Sequence, residues 1–321
     1  MSQSQFLSNC TADAIRAAAA HLLAADLVAF PTETVYGLGA DACNALAVAR
    51  IYAVKARPAD HPLIVHIASM NSLAHWASEV PEYAIALART FWPGPMTLVV
   101  KRSELAADFI TGGQDSVGLR VPNHPIALAL LEEFEKVGGM GIAAPSANRF
   151  GHVSPTNAGA VIEELGQYLT QGDLVLDGGD CTVGVESTII DCTGSSPHVL
   201  RPGAINAAMI EECTGLKITQ SLSVPRVSGS LENHYAPLAK VLLRETPIAG
   251  QGFIAHAKIQ TPEGVIRLAA PGDDEEFARV LYSALRQADA QGLSEVVVVQ
   301  PIGIGIAVAI RDRLARAANG R

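Results

Sequence analysis

Polar residues that could bind an anionic ligand gather in four segments of the chain, in tight turns that follow short apolar stretches. The segments are residues 30–39 (Phe-Pro-Thr-Glu-Thr-Val-Tyr-Gly-Leu-Gly), 55–66, 144–148 (Ala-Pro-Ser-Ala-Asn) and 184–189. In open α/β folds ligands bind at the ends of strands, because backbone and side-chain polar groups converge there. These segments are therefore the candidates for a ligand site.

Two pairs of residues in these segments have side chains suited to phosphate. Lys55 and Arg57 are cations that could neutralise phosphate charge, and the alternative is a solvated basic helix end that contributes about 0.3–1 kcal/mol. Ser146 and Asn148 have short side chains that can hydrogen-bond a phosphate or a ribose, in a loop whose N–H groups can cradle an anion. The alternative for this pair is an ordinary turn, because Pro, Ser and Asn are common turn residues.

The elements that must position these residues alternate between helix and strand. Thr11 is a candidate N-cap for an Ala-rich helix, and residues 27–30 read as a short buried strand. Residues 217–236 have little periodicity and several Ser, Pro and Gly, which is typical of an interdomain linker. A small α/β unit follows, with strands near 240–243, 252–255 and 295–299 and helices near 273–291 and 305–318.

Composition limits the class of protein. The 321 residues exceed the usual size of a single core, and 49% hydrophobic with 17% charged residues argues against disorder. A net charge of −9 argues against broad nucleic-acid binding, although a basic nucleotide pocket remains compatible with it. Five widely spaced cysteines, with no Cys-x-x-Cys pair, fit a reducing cytosol. With no signal peptide or membrane span expected, we predict a cytoplasmic protein.

The four segments belong to a longer series of motifs that resembles the signature of the YrdC family. The other motifs are residues 92–95 (Trp-Pro-Gly-Pro), 118–122 (Gly-Leu-Arg-Val-Pro) and 200–203 (Leu-Arg-Pro-Gly). Residues 233–237 (Asn-His-Tyr-Ala-Pro) and the additional small unit are similar to the long, two-domain members of the family, the threonylcarbamoyl-AMP synthases. The motifs occur in order from about residue 10 to residue 237, whereas residues 238–321 match only in general character.

The resemblance implies both a fold and a reaction. The fold is a twisted, mixed-sheet α/β domain with a concave basic cavity over residues 10–216, a linker or lid over 217–236, and a small Rossmann-like α/β domain over 237–321. The reaction joins L-threonine, bicarbonate or CO2, and ATP into threonylcarbamoyl-adenylate and pyrophosphate, for a tRNA modification. The expected cofactor is Mg2+ held mostly by the phosphates, with no metal site on the protein. The product is expected to pass to a tRNA threonylcarbamoyl transferase, with no membrane and no strong direct nucleic-acid binding.

The resemblance also implies roles for individual residues. The family's Lys-x-Arg and Ser-x-Asn motifs match the predicted catalytic residues Lys55, Arg57, Ser146 and Asn148. Positions that line the threonine pocket match Thr34, His66, Arg120, Ala144 and Ser187. Positions on the nucleotide side match Arg57, His61, Ser116, Ser146, Ser154 and Arg201, and His234 and Tyr235 could reach the nucleotide from the lid.

Three of these assignments carry a specific chemical argument. Arg120 can bind a carboxylate with two hydrogen bonds, because its guanidinium is a planar fork. His66 ends a predicted buried strand, so a core histidine without ligand contact is the alternative. His61 departs from the Asn that is common at its position, although an imidazole also offers a donor.

Other interpretations of the sequence are an RNA-binding module and carbamoyl transfer from carbamoyl phosphate, as in related domains of hydrogenase maturation proteins. The negative net charge argues against an RNA-binding module. The absence of zinc-finger-like cysteines argues against carbamoyl transfer from carbamoyl phosphate. The pair Gly303 and Gly305 is not followed by the third glycine of a dinucleotide fingerprint, because Val308 stands there. Residues 217–236, which include Gly229 as a possible hinge, are predicted to be a movable lid, with a passive tether as the alternative.

Overall fold

The computed structural model of the chain describes residues 6–218, 226–227 and 234–320. Over these residues the larger sheet contains β1 (Leu7–Asn9), β2 (Val28–Phe30), β3 (Gly37–Asp41), β4 (Ile64–His66), β5 (Ala77–Glu79), β6 (Met96–Arg102), β7 (Ser116–Arg120), β8 (Ile142–Ala143), β9 (Leu174–Asp177), β10 (Thr188–Asp191) and β11 (His198–Arg201). The smaller sheet contains β12 (Lys240–Leu242), β13 (Gly252–Ile254), β14 (Ile266–Ala269) and β15 (Glu295–Val298).

The α-helices of the first part of the chain are α1 (Ala12–Leu23), α2 (Ala45–Lys55), α3 (Leu73–Trp76), α4 (Glu82–Phe91), α5 (Asp108–Thr111), α6 (Pro125–Lys136), α7 (Ala158–Leu165) and α8 (Ala207–Thr214). Two more, α9 (Asp274–Ala290) and α10 (Ile306–Ala318), accompany the smaller sheet. Thr11 caps α1 as predicted, since its hydroxyl accepts the N–H of Ala14 at 3.2 Å. No helix of the described ranges has the length and apolar composition of a membrane span.

The larger sheet is mixed, in the order β1-β9-β2-β3-β8-β4-β7-β6-β10-β11, with β5 paired to β6. Strand β4 lies between β7, which runs parallel to it, and β8, which runs antiparallel. The smaller sheet is parallel throughout, in the order β12-β15-β13-β14, and α9 and α10 pack against each other beside it. The predicted fold class, a mixed-sheet α/β domain with a smaller Rossmann-like domain, is confirmed.

Strand β3 is an element that the sequence did not predict, because its glycines read as loop residues. A Cβ atom on Gly39 would lie 2.8 Å from the side chain of Ile142 and 2.9 Å from that of Phe30. Glycine is therefore required here by the close approach of neighbouring side chains in the sheet. Strand β14 was also not predicted; its residues are only partly buried.

Candidate active site

A cavity in the larger domain brings together residues from all four polar segments. Its walls come from the loop after β2, from β4 and β7, from the loop after β8, from the two residues just before β10, and from the last residue of β11. All the residues predicted for the threonine pocket line it, and so do five predicted for the nucleotide side or the lid. These ten residues are Thr34, His66, Arg120, Ala144, Ser187, Arg57, Ser146, Arg201, His234 and Tyr235.

Five predicted residues do not line this cavity. Ser116 lies at the start of β7 and lines two neighbouring grooves instead, and His61 packs edge-on against Phe150 at 5.3 Å. Ser154, Lys55 and Asn148 are buried beside the cavity and make hydrogen bonds within the protein. Their predicted roles in binding or catalysis therefore depend on a change of conformation or on an indirect effect.

Lys55 is the last residue of α2 and is only 1% exposed. Its ammonium donates to the backbone carbonyl of Ser146 at 2.5 Å and to that of Asn148. Burial, and secondly the charge of Arg57, lower the pKa of Lys55 well below its usual value. The lysine therefore holds the backbone of the Ser-x-Asn loop, and the alternative of a solvated helix end is excluded.

Arg57 reaches the cavity because the chain turns sharply between it and the helix. Ala56 adopts a left-handed conformation with φ of 49°, which ends α2. The guanidinium of Arg57 donates to the carbonyl of Pro62 at 3.1 Å and lies 5.6 Å from the centre of the Phe150 ring. Burial lowers its pKa to about 10, so the side chain stays positively charged at neutral pH.

The side chain of Asn148 hydrogen-bonds to the backbone of the loop in which it lies. Its side-chain amide donates to the carbonyls of Arg149 at 2.7 Å and His152 at 2.9 Å. Ser146, by contrast, lines the cavity and forms an isolated β-bridge with Gly37. The loop therefore presents Ser146 to a ligand while Asn148 and Lys55 fix its backbone.

Arg120 and His66 are brought side by side by the pairing of β4 with β7. Arg120 forms a buried ion pair with Glu33 at 2.8 Å, and its Nε donates to the carbonyl of Gly94 at 3.3 Å. Burial, and secondly the charge of Arg120, lower the pKa of His66 to about 3. His66 is therefore a neutral imidazole in the cavity wall at neutral pH, and its contact with Phe30 also places it partly in the core.

Ser187 and Arg201 contact each other, although the motifs predicted them for different substrates. Arg201 donates to the backbone carbonyl of Ser187 at 3.0 Å and to its hydroxyl at 3.1 Å. The same hydroxyl lies 2.8 Å from the hydroxyl of Thr97. The residues predicted for the threonine side and those predicted for the nucleotide side are thus adjacent, as a reaction between two bound substrates would require.

His234 and Tyr235 close the cavity and are 5% and 1% exposed. Tyr235 has a φ of 61°, an uncommon conformation for a residue other than glycine. Within the described residues, Nδ1 of His234 and the hydroxyl of Tyr235 have no hydrogen-bond partner. The space that remains is about 50 Å³, which admits only a few water molecules. In this conformation the two side chains therefore leave little free volume beside them in the cavity.

Glu186 is a cavity residue that the sequence did not predict. Its carboxylate accepts hydrogen bonds from Ser154 at 2.6 Å, Tyr282 at 2.9 Å and Arg313 at 2.8 Å. Burial alone would raise the pKa of Glu186, but the charges of Arg313 and Arg201 lower it to about 2. Two of its partners, Tyr282 and Arg313, lie 96 and 127 residues further along the chain, so no local spacing could reveal them.

Comparisons with known proteins assign nearly the whole chain to the same family. The family model Sua5/YciO/YrdC, described as "Telomere recombination", matches residues 21–203, and one described as "Threonylcarbamoyl-AMP synthase, C-terminal domain" matches residues 205–319. The threonylcarbamoyl-AMP synthase of Pyrococcus abyssi is 41% identical, with 96% of this chain and 94% of the relative covered. That of Bacillus subtilis is 37% identical, with coverages of 96% and 93%.

The comparison with solved structures also matches nearly the whole chain to a protein of this family. The crystal structure of P. abyssi Sua5 complexed with L-threonine has a TM-score of 0.87 to this chain. The two share 39% sequence identity, and the match covers 98% of this chain and 97% of that one. Both domains are therefore common to the two proteins.

Proposed function

The chain belongs to the family of two-domain threonylcarbamoyl-AMP synthases, and from that premise we propose that it forms threonylcarbamoyl-AMP and pyrophosphate from L-threonine, bicarbonate or CO2, and ATP. The observation that carries the proposal is the convergence of Thr34, His66, Arg120, Ala144 and Ser187 with Arg57, Ser146 and Arg201 on one cavity. Such a cavity offers neighbouring places for an amino acid and for a phosphate group.

The first step is the capture of CO2 or bicarbonate by the neutral amine of threonine, which gives a carbamate together with a proton from the CO2 route or water from the bicarbonate route. Arg120 lines the cavity, where its guanidinium can orient the threonine carboxylate, and it is held by the ion pair with Glu33 and by the hydrogen bond from Nε to the carbonyl of Gly94. Neutral His66 beside it adds no further positive charge. Of these two neighbouring side chains, only Arg120 is therefore positively charged next to the threonine amine.

In the second step a carbamate oxygen attacks the α-phosphate of ATP, and the bond from that phosphorus to the bridging oxygen breaks to release pyrophosphate. The nucleophile is already an anion, so its activation needs no Ser-His-Asp or Cys-His arrangement. The charges of Arg57 and Arg201 face the cavity and offset the negative charge that gathers there. Closure by His234 and Tyr235 excludes water from the reactive carbamoyl-adenylate.

We also propose phosphate-bound Mg2+ as the cofactor. The two carboxylates nearest the cavity are already paired, Glu33 with Arg120 and Glu186 with Arg313. Within the described ranges, no group of three or more His, Cys, Asp and Glu side chains is placed to hold a metal ion. This donor set fits an ion that is carried by the phosphates of the nucleotide, where it would neutralise part of their charge.

The proposed place of the reaction is the cytoplasm, with the product passed to a tRNA threonylcarbamoyl transferase. The test of the proposed product is mass spectrometry of a reaction with ATP, L-threonine, Mg2+ and 13C-labelled bicarbonate. We expect a threonylcarbamoyl-AMP ion that gains one mass unit from the label. An adenylate of threonine without the labelled carbon would contradict the proposed order of steps.

A further inference from the structure

A buried hydrogen-bond network joins the C-terminal domain to the candidate active site. Its centre is Glu186, which is 5% exposed and lies next to Ser187 in the cavity wall. One oxygen of its carboxylate accepts from Ser154, and the other accepts from the hydroxyl of Tyr282 and from Nε of Arg313. Tyr282 lies on α9 and Arg313 on α10, so a residue of the cavity is held by two helices of the other domain.

Arg313 is one of the largest fully buried side chains of the described residues. Besides the bond from Nε to Glu186, its Nη1 donates to Asp312 at 2.6 Å and its Nη2 lies 3.4 Å from the backbone carbonyl of Glu186. A buried arginine costs free energy of desolvation, and only close pairing with acceptors offsets that cost. The main partner of this arginine is a residue that lines the cavity.

The backbone around Glu186 also fits tightly against the C-terminal domain. Gly184 has a φ of +81°, and a Cβ atom there would lie 2.4 Å from Cα of Arg279 and 2.6 Å from the carbonyl of Ala278. Two residues further along the chain, the carboxylate of Glu186 forms its ion pair with Arg313. Gly184 and Glu186 are therefore positioned by direct contact with α9 and α10.

The charge of Arg313 matters because a second arginine also acts on Glu186. Arg201 is the next cation that stabilises the Glu186 carboxylate, and it lines the cavity, where it donates to Ser187. Without Arg313, the buried carboxylate would lose its ion-pair partner. The side chain of Glu186 and the adjacent Ser187, which Arg201 contacts, would then lose their present positions in the cavity wall.

We propose that Arg313 of the C-terminal domain is a positioning residue of the active site, which acts by pairing with Glu186 and so fixes the cavity wall that Glu186 and Ser187 form. The inference rests on the proposed function and extends it, since it gives the C-terminal domain a role in catalysis. Arg313 does not itself line the cavity.

The test uses the full-length chain and compares Arg313→Met and Arg313→Lys with the control Arg286→Met. Arg286 lies on α9 and also crosses the domain interface, where it donates to Glu164 at 3.2 Å and to the carbonyl of Val153. Glu164 keeps His152 and the N–H of Arg149 as partners when Arg286 is removed. The control therefore removes an interface arginine without touching Glu186.

Steady-state pyrophosphate release is measured at a temperature where thermal unfolding shows each variant to be folded. We expect Arg313→Met to lower kcat/KM for ATP by about 10²-fold, the scale of a small misplacement in an active site, and Arg286→Met to leave it unchanged. Arg313→Lys should recover part of the loss, because it restores the charge but not the planar fork. A folded Arg313→Met with wild-type kcat/KM, or an equal loss in Arg286→Met, would overturn the inference.

A second pair of variants keeps the test decisive if Arg313→Met does not fold. Because Arg313 acts through Glu186, the double variant Glu186→Gln/Arg313→Met should be at least as active as Glu186→Gln alone. A much less active double variant would overturn the inference. The two possible failures are distinguishable. A wild type that releases no pyrophosphate with threonine and bicarbonate contradicts the proposed function. An active wild type with an equally active Arg313→Met contradicts only the role of Arg313.

Discussion

At the scale of residues, Lys55 and Arg57 are two positions apart but differ in environment. Lys55 donates to two backbone carbonyls of the loop that carries Ser146, whereas Arg57 lines the cavity. Removal of a buried ammonium leaves its acceptors without a donor, which costs stability as well as geometry. The motif therefore combines one residue that supports the loop with one that faces the ligand.

The first prediction separates these two roles. Arg57→Ala should lower kcat by ~10²–10³, as for other electrostatic stabilisers, with a small change in the free energy of unfolding. Lys55→Ala should lower kcat as well, and should also lower the free energy of unfolding by about 3 kcal/mol, because two buried backbone carbonyls lose their hydrogen-bond donor. Pyrophosphate release and urea unfolding measure the two quantities. Wild-type turnover of Arg57→Ala, or wild-type stability of Lys55→Ala, would contradict this division.

The second prediction concerns pH and the buried histidines. Burial lowers the pKa of both His66 and His234 from 6.5 to about 3. Between these values the unfolded chain binds protons that the folded chain does not, so stability is full above about pH 6.5 and falls as pH decreases toward 3. Each histidine should contribute about 1.4 kcal/mol per pH unit near pH 5. Replacement of His66 by Asn should reduce the measured slope by that amount, and an unchanged slope would show that His66 is protonated when folded.

The residue types of the cavity could be predicted from the sequence, but their partners could not. Thr34, Arg120 and Ser187 lie in motifs at strand ends, and the sheet brings such ends together. Glu33 as the partner of Arg120, and Arg313 as the partner of Glu186, depend on packing between distant segments. No local periodicity or spacing carries that information.

At the scale of elements, the segment before the C-terminal domain contributes part of the cavity wall. His234 and Tyr235 are buried in this wall, and about 50 Å³ of space remains beside them. Most of the predicted lid, residues 219–225 and 228–233, lies outside the described residues, including Gly229. The lid therefore remains a prediction, supported by the burial of His234 and Tyr235, near its end, in the cavity wall.

The third prediction tests the lid by limited proteolysis across residues 217–236. We expect ATP together with L-threonine to slow cleavage there, because bound substrates favour the closed position of His234 and Tyr235. A chain that ends at Leu216 should be inactive. Unchanged cleavage with substrates, together with full activity of the shortened chain, would make the segment a passive tether.

Elements with strong local signals were predicted well, and those defined by their neighbours were not. The predicted helices near 273–291 and 305–318 correspond to α9 and α10, which have clear amphipathic spacing. Strand β3 was missed because it contains two glycines and is buried on both faces. It exists because β2 and β8 hydrogen-bond to it on either side.

At the scale of the whole molecule, the order of motifs predicted two domains, but the contact between them came only from the structure.

The fourth prediction concerns the net charge of the whole molecule, which is −9. Binding to duplex RNA at physiological salt should be no tighter than the nonspecific range, ~10⁻⁴–10⁻⁶ M, because the chain has no extended basic surface run. Fluorescence anisotropy with labelled duplexes measures this, and a nanomolar, sequence-tolerant complex would favour the RNA-binding interpretation.

The central claim is that one cavity brings threonine, as its carbamate, to the α-phosphate of ATP. The most direct measurement is the rate of pyrophosphate release from ATP and Mg2+ with L-threonine and bicarbonate, against reactions that omit either or replace threonine with L-serine or L-valine. We predict rapid release only when L-threonine and bicarbonate are both present. Equal release with unrelated amino acids, or no release with threonine and bicarbonate, would contradict the proposed function.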